Sequence, residues 1–276
     1  ACRPHPPNVG DVSEQASPKL LPATNSASTE DYPHLHNLLQ VTGRIYSGAE
    51  PQGEQAFADL EKMGVTTIVS VDGARPQSEL AAKYGLRYVH IPIGYDGIPD
   101  AAGKSLARVM REAEGPIYFH CHHGKHRGPA AAAVACVASG AADGEEALEI
   151  LRRAGTSAAY AGLWRDVDNY QPPAAEATLP ELVAVAEVGS MAVAMAKIDR
   201  AKDNLALAKE ARWSAIVEHP DVAAAQEALI LREALHETGR HLTSDYDQAF
   251  KNLLAESEAV AMELEAAINN RRHEAA

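Results

Sequence analysis

Pro116-Ile117-Tyr118-Phe119-His120-Cys121-His122-His123-Gly124-Lys125-His126-Arg127-Gly128-Pro129 is followed by the alanine run Ala130 to Ala133. Residues 116–120 are apolar and aromatic, with the length of a short buried strand, and they run straight into Cys121. Gly128-Pro129 opens a helix, with proline expected at its first position, where its missing N–H is no loss. A cysteine between a strand end and a helix N-terminus is surrounded by backbone N–H groups and by the positive end of the helix dipole. Both stabilise a thiolate, and both attract an anion.

Reading upstream, strands and helices alternate. Gly43 to Gly48 gives a short strand and turn, and Gln52 to Met63 an amphipathic helix with Phe57, Leu60 and Met63 on one side, stopped at Gly64. The β-branched run Val65 to Val71 is a strand, Pro76 to Tyr84 a helix stopped at Gly85, and Arg87 to Ile93 a further strand. A loop over 94–99 leads into a helix from Asp100 to Glu114. Downstream, helices are expected at Glu145 to Arg153 and Ala158 to Tyr170. This order predicts an α/β fold, a small sheet flanked by helices, with ligands at the carboxyl ends of its strands. Cys121 falls at such an end.

Gln171 to Ala175 closes this unit. Beyond Leu179, the residues Leu182, Val185, Val188, Met191, Met195, Ile198 and Leu205 recur at threes and fours. Tyr246, Phe250 and Leu253 do so too, followed by Val260, Leu264 and Ile268, while His219-Pro220-Asp221 marks a turn. A C-terminal all-α antiparallel bundle of three or four helices is expected, with Met191 and Met195 in its core. The expected division is a Pro/Ser-rich disordered tether over 1–33, an α/β unit over 34–173 and the bundle over 174–276.

The net charge of −13, with no long Lys/Arg run, argues against a nucleic-acid partner. The longest apolar stretches are Ala-rich and fall short of the ~18 residues of a membrane span. Three cysteines form no disulfide framework. Cys136 reads as a small buried apolar residue. Ala1-Cys2 before a polar tail fits a bacterial lipoprotein with a lipid anchor at Cys2, placing the chain at the cell envelope; an arbitrary sequence start, with a cytoplasmic protein, is the other reading.

Five residues separate Cys121 from Arg127, enough for the loop to curl round three phosphoryl oxygens while Arg127 returns to bind two of them as a bidentate fork. Gly124 permits the mid-loop backbone conformation. In-line attack by Cys121 on phosphorus would give a phosphocysteine that water hydrolyses. His-Cys, five residues and Arg resembles the signature of protein tyrosine and dual-specificity phosphatases, and Gly124-Lys125-His126-Arg127 is similar to the loop of the small atypical dual-specificity phosphatases of plants and fungi, some of which act on inositol pyrophosphates; Ile45 to Pro51 and the strands of Val65 to Val71 and Tyr88 to Ile93 resemble that group and bacterial relatives of uncharacterised function. The resemblance spans about residues 38–170 and leaves out the bundle.

The resemblance implies a general acid on the loop after the preceding strand. Asp96 stands there, at a spacing of 25 residues from Cys121 that is shorter than is usual, with Asp100 as the alternative and turn chemistry as the simpler account of Asp96-Gly97. It also implies a Ser or Thr after the arginine, whose hydroxyl helps the thiolate leave. Here Gly128 stands instead, so hydrolysis of the intermediate is expected to be slow unless His126 or a water compensates. His120 is expected to orient the loop from below. His122, His123 and Lys125 are expected to line its rim, with Gly124, His126 and Gly128 completing the phosphate cradle. Phosphorylated proteins, inositol phosphates or other small phosphate monoesters are the expected substrates, and the bundle is expected to serve homo- or hetero-association.

Three other readings fit less well. A metal on the His/Cys cluster would occupy the nucleophile, so neither metal nor cofactor is expected. A rhodanese-type sulfurtransferase commonly has a loop one residue shorter, and covalent haem in the bundle lacks a Cys-x-x-Cys-His. A catalytically weak phosphate-binding module is the nonenzymatic alternative, with Gly128 as its clue.

Overall fold

The computed structural model describes residues 31–274, except 159, 188–189, 215, 217–221, 241 and 243–245. The tether up to residue 30 with Cys2, Val188 and the turn at His219-Pro220-Asp221 lie outside the described residues.

The β-branched and aromatic runs become strands β1 (Leu39–Gln40), β2 (Ile45–Ala49), β3 (Thr67–Ser70), β4 (Arg87–His90) and β5 (Ile117–Cys121). They form one sheet in the order β1-β2-β5-β3-β4, in which only β1 runs antiparallel to its neighbour. β1 has two residues, too few to show a period in the sequence. Side chains along β5 alternate, as the pleat requires. Ile117, Phe119 and Cys121 face one layer and Tyr118 the other. The first layer holds helices α3 (Asp100–Glu112), α4 (Arg127–Ala138), α5 (Gly144–Ala154) and α6 (Ala161–Asp168); the second holds α1 (Gly53–Lys62) and α2 (Ser78–Lys83). Burying each large side chain in these layers contributes roughly 1.5–3 kcal/mol.

Helix α4 begins at Arg127, ahead of the expected start, so Pro129 occupies its third position rather than its first. Residues Ala130 to Ala135 are all fully buried between the sheet and α3, α5 and α6. The alanine run thus lets the central helix approach the sheet closely. A capping box, Asp143 with Glu146, starts α5.

Helices α7 (Ser190–Glu210), α8 (Ala224–Arg240) and α9 (Gln248–Glu274) form the expected C-terminal bundle. Leu205, Ala228 and Ile268 make one seam and Leu235, Leu254 and Ala261 another. Three expectations need correction. Leu182 and Val185 are not helical: residues 174–187 form an irregular strap across the α/β unit. Arg108 Nη1 donates to Pro180 O (2.9 Å), Arg111 Nη2 to Ala174 O (3.1 Å), and the His90 amide to Val183 O (2.9 Å). These partners replace helical hydrogen bonds in a stretch whose Pro180 has no N–H to give. Secondly, Met195, Leu253 and Val260 are 44, 61 and 64% exposed, because the bundle's helices bury only the sides turned to one another. Thirdly, Tyr32, given to the tether on composition, packs with Leu35, Phe57 and Leu60 and lies under Lys62. Among the described residues no helix is long and apolar enough to cross a membrane.

Candidate active site

The carboxyl ends of three parallel strands bring the site together. In the register Ala49 pairs with Cys121 and Ser70 with His120, so the residues that follow β2 and β3, Glu50 and Asp72, flank the start of the loop. Cys121 is buried, 2% exposed. Gly124 takes a φ of +72° and lies against Gly48, where a Cβ would stand 2.1 Å from the Gly48 carbonyl carbon. Any other residue there meets both left-handed backbone strain and a collision. The carbonyls of His122, His123 and Lys125 accept from Glu50 N (3.1 Å), Asn37 Nδ2 (2.9 Å) and Thr156 Oγ1 (2.7 Å). In a trans peptide the next N–H points the opposite way. The amides of His123, Gly124 and His126 are therefore turned away from these outer partners.

Arg127 is the first residue of α4 and is 6% exposed. Its Nη2 lies 3.3 Å from Asp72 Oδ2, and its guanidinium carbon 4.4 Å from the centre of the Tyr95 ring. Its buried Nε has no hydrogen-bond partner among the described residues. Burial alone would raise the Asp72 carboxyl, but Arg127 and the Ala74 amide outweigh it and hold the pKa below the usual range. Asp72 and Tyr95 escaped the sequence reading. A carboxylate directly after the apolar run ending at Val71 was the available signal, since ligands gather at strand ends.

His120 lies beneath the loop, with Nε2 2.6 Å from Tyr88 Oη and its ring beside Tyr118. Burial pushes its pKa down to about 4, so it is a neutral ring near pH 7. His126 sits 4.7 Å, centre to centre, from Tyr160, which stacks at 4.4 Å on Tyr95; its Nδ1 accepts from the Ser157 amide at 3.3 Å. Lys125 is exposed. His122 and His123 are not an open rim: α7 crosses over them. Asp203 Oδ2 lies 3.3 Å from His122 Nε2 and 2.5 Å from His123 Nε2. Arg200, also on α7, pairs with buried Glu50, which lies 3.7 Å from His122 Nδ1. Burial would lower the His122 pKa, but Asp203 and Glu50 outweigh it and push it up to about 9. A residue 80 or so positions away along an exposed-looking helix gave the sequence no sign of this contact.

The Asp96 carboxylate is exposed and leans back over Gly94, whose Cβ position is 2.2 Å from Oδ1. The Asp96 carbonyl accepts from Arg165 at 3.2 Å, and the Ile98 amide donates to Asp166 at 2.7 Å, which fastens this loop to α6. Asp100, the alternative, pairs with Lys104 at 2.6 Å and lines a different cleft with Tyr170 and Pro173. A Cβ on Gly128 would lie 3.1 Å from the Cys121 amide nitrogen, so this position packs directly on the backbone of Cys121. Cys136 is fully buried, and burial pushes its thiol pKa well up.

A buried thiol at a strand end, a loop whose carbonyls are turned outward and a buried guanidinium at the following helix start thus meet at the carboxyl edge of the sheet. No protein-family model matches the chain. The dual specificity protein phosphatase TpbA of a Pseudomonas aeruginosa strain is 28% identical over 181 residues, covering 65% of this chain and 76% of that protein. The same phosphatase from a second strain is 30% identical over 121 residues, covering 43% of this chain and 55% of that protein. The solved catalytic core of the Saccharomyces cerevisiae PP-IP phosphatase SIW14 is 20% identical, with a TM-score of 0.43 over 49% of this chain and 86% of that one. Over about two thirds of its length the chain is thus similar in sequence to dual specificity protein phosphatases.

Proposed function

We propose that residues 34–173 hydrolyse phosphoric monoesters through a phosphocysteine on Cys121, with aryl phosphates such as phosphotyrosine in proteins preferred to inositol polyphosphates. The observation that carries this is Arg127, buried, held on one edge by Asp72 and with Nε unpaired, at the end of the loop that starts at Cys121. Arg127 and the loop amides hold the phosphoryl oxygens, and the Cys121 thiolate forms a P–S bond as the ester P–O bond breaks. Asp96, after rotation about its own side-chain bonds, gives its proton to the departing oxygen. Water then attacks phosphorus, the Asp96 carboxylate takes its proton, and the P–S bond breaks to return thiolate and inorganic phosphate.

One feature supports the substrate preference: Tyr95 and Tyr160 form an aromatic wall beside Arg127. Turnover of phosphotyrosyl peptides is expected to exceed that of inositol hexakisphosphate and inositol pyrophosphates in a panel; the reverse order would overturn the preference.

Asp96→Asn is expected to slow esters with poor leaving groups by about 10²- to 10³-fold, and p-nitrophenyl phosphate much less. Equal losses on both would move the acid to another residue. Gly128→Ser restores a hydroxyl beside Cys121, at a position where the neighbouring backbone must yield by a few tenths of an ångström. A hydrogen bond to a charged group contributes about 1.5–3 kcal/mol. Steady-state turnover is therefore expected to rise about 10- to 100-fold, with a smaller pre-steady-state burst; an unchanged burst would show that loss of this hydroxyl does not limit the second step.

A further inference from the structure

His122 and His123 bring two imidazole nitrogens to the same oxygen of Asp203, with their rings 4.4 Å apart, centre to centre. Neither approach has hydrogen-bond geometry. Oδ2 is buried and has no hydrogen-bond partner among the described residues, despite two ring nitrogens within 3.3 Å. The three donor atoms lie within 4.8 Å of one another. As a plain ion pair this is a poor arrangement, because two adjacent imidazolium rings repel and share one carboxylate oxygen. Two neutral rings and a carboxylate converging on a common cation meet no such repulsion.

We propose that His122 Nε2, His123 Nε2 and Asp203 Oδ2 form a binding site for a divalent transition-metal ion of the zinc type, which ties helix α7 to the loop after β5. Zinc accepts imidazole nitrogen and carboxylate oxygen at about 2.0–2.2 Å, a reach that donors this close satisfy with small side-chain rotations. Imidazole favours zinc, nickel or cobalt over magnesium or calcium, which prefer all-oxygen sets. Behind His122, the Glu50 carboxylate lies 3.7 Å from Nδ1 and is itself held by Arg200. A carboxylate facing the non-ligating nitrogen fixes the tautomer and orientation of a metal-bound histidine. Cys121 lies outside the donor set, so the ion leaves the thiol free. Three protein ligands leave a coordination position for water. The site stands independently of turnover by Cys121.

The test is titration of the full, metal-stripped chain with Zn²⁺ by calorimetry and with Co²⁺ by visible absorption. One equivalent is expected to bind saturably, with cobalt ligand-field bands and no sulfur-to-metal charge-transfer band. Asp203→Asn and His123→Ala, each checked for folding by circular dichroism, are expected to weaken binding at least about 100-fold, and Cys121→Ser to leave it unchanged. Absence of saturable binding, undiminished affinity in folded Asp203→Asn or His123→Ala, or loss in Cys121→Ser would each overturn the site. The wild-type cobalt spectrum needs no variant, and sulfur charge transfer there would overturn it alone.

Discussion

Cys121→Ser is expected to lower kcat on p-nitrophenyl phosphate by at least about 10⁴-fold, the scale seen when a catalytic nucleophile is removed, while phosphotyrosyl peptide still binds. Serine has almost the volume of cysteine, so the buried position at the end of β5 accepts it without a cavity. The ties from Glu50, Asn37 and Thr156 to the loop carbonyls do not involve the thiol and persist. What is lost is the thiol nucleophile, since a serine hydroxyl beside neutral His120 has no base to activate it. Mass spectrometry of acid-quenched wild-type enzyme should place a phosphoryl group on the peptide holding Cys121. A Cys121→Ser protein with wild-type turnover would remove Cys121 from the mechanism.

The second large effect is at Asp72. Asp72→Ala leaves the Arg127 guanidinium buried without its carboxylate, and breaking a buried ion pair from one side costs about 3–5 kcal/mol. Urea unfolding is expected to show a loss of that order, together with a fall in kcat/KM of more than about 100-fold as Arg127 drifts from the loop. A folded variant with wild-type kcat/KM would show that Arg127 needs no anchor. The sign of the pH dependence follows. Because the Asp72 pKa is depressed in the folded protein, its contribution is fully present above its unfolded value of about 3.9 and disappears as the pH falls through the lower folded value. Asp72→Ala should therefore flatten the acid limb of the stability profile.

How much of this was legible follows from where each partner lies in the chain. The strand, Cys121, the glycine turn and the helix form one contiguous unit, so local pattern alone located them. Even there the boundary moved, because Arg127 rather than Pro129 starts α4. Asp72 lies 55 residues from Arg127, and only the insertion of β5 beside β3 makes them neighbours. The Asp203 contact depends on the docking of α7, which no periodicity encodes. Leu182 and Val185 show the opposite failure: helical spacing was present, but guanidinium groups and the β4 edge offered the strap's backbone better partners than a helix did.

That strap also bears on solubility. β4 is the last strand of the sheet, and a bare edge presents unpaired N–H and C=O groups to any neighbouring chain. Val183 O takes the His90 amide, and the Ala186 amide donates to His90 Nδ1 at 3.1 Å, so the end of this edge is occupied from within the molecule. A catalytic unit cut at residue 173, where composition alone places the boundary, would lose this cover and invite edge-to-edge aggregation. One cut after residue 187 keeps it.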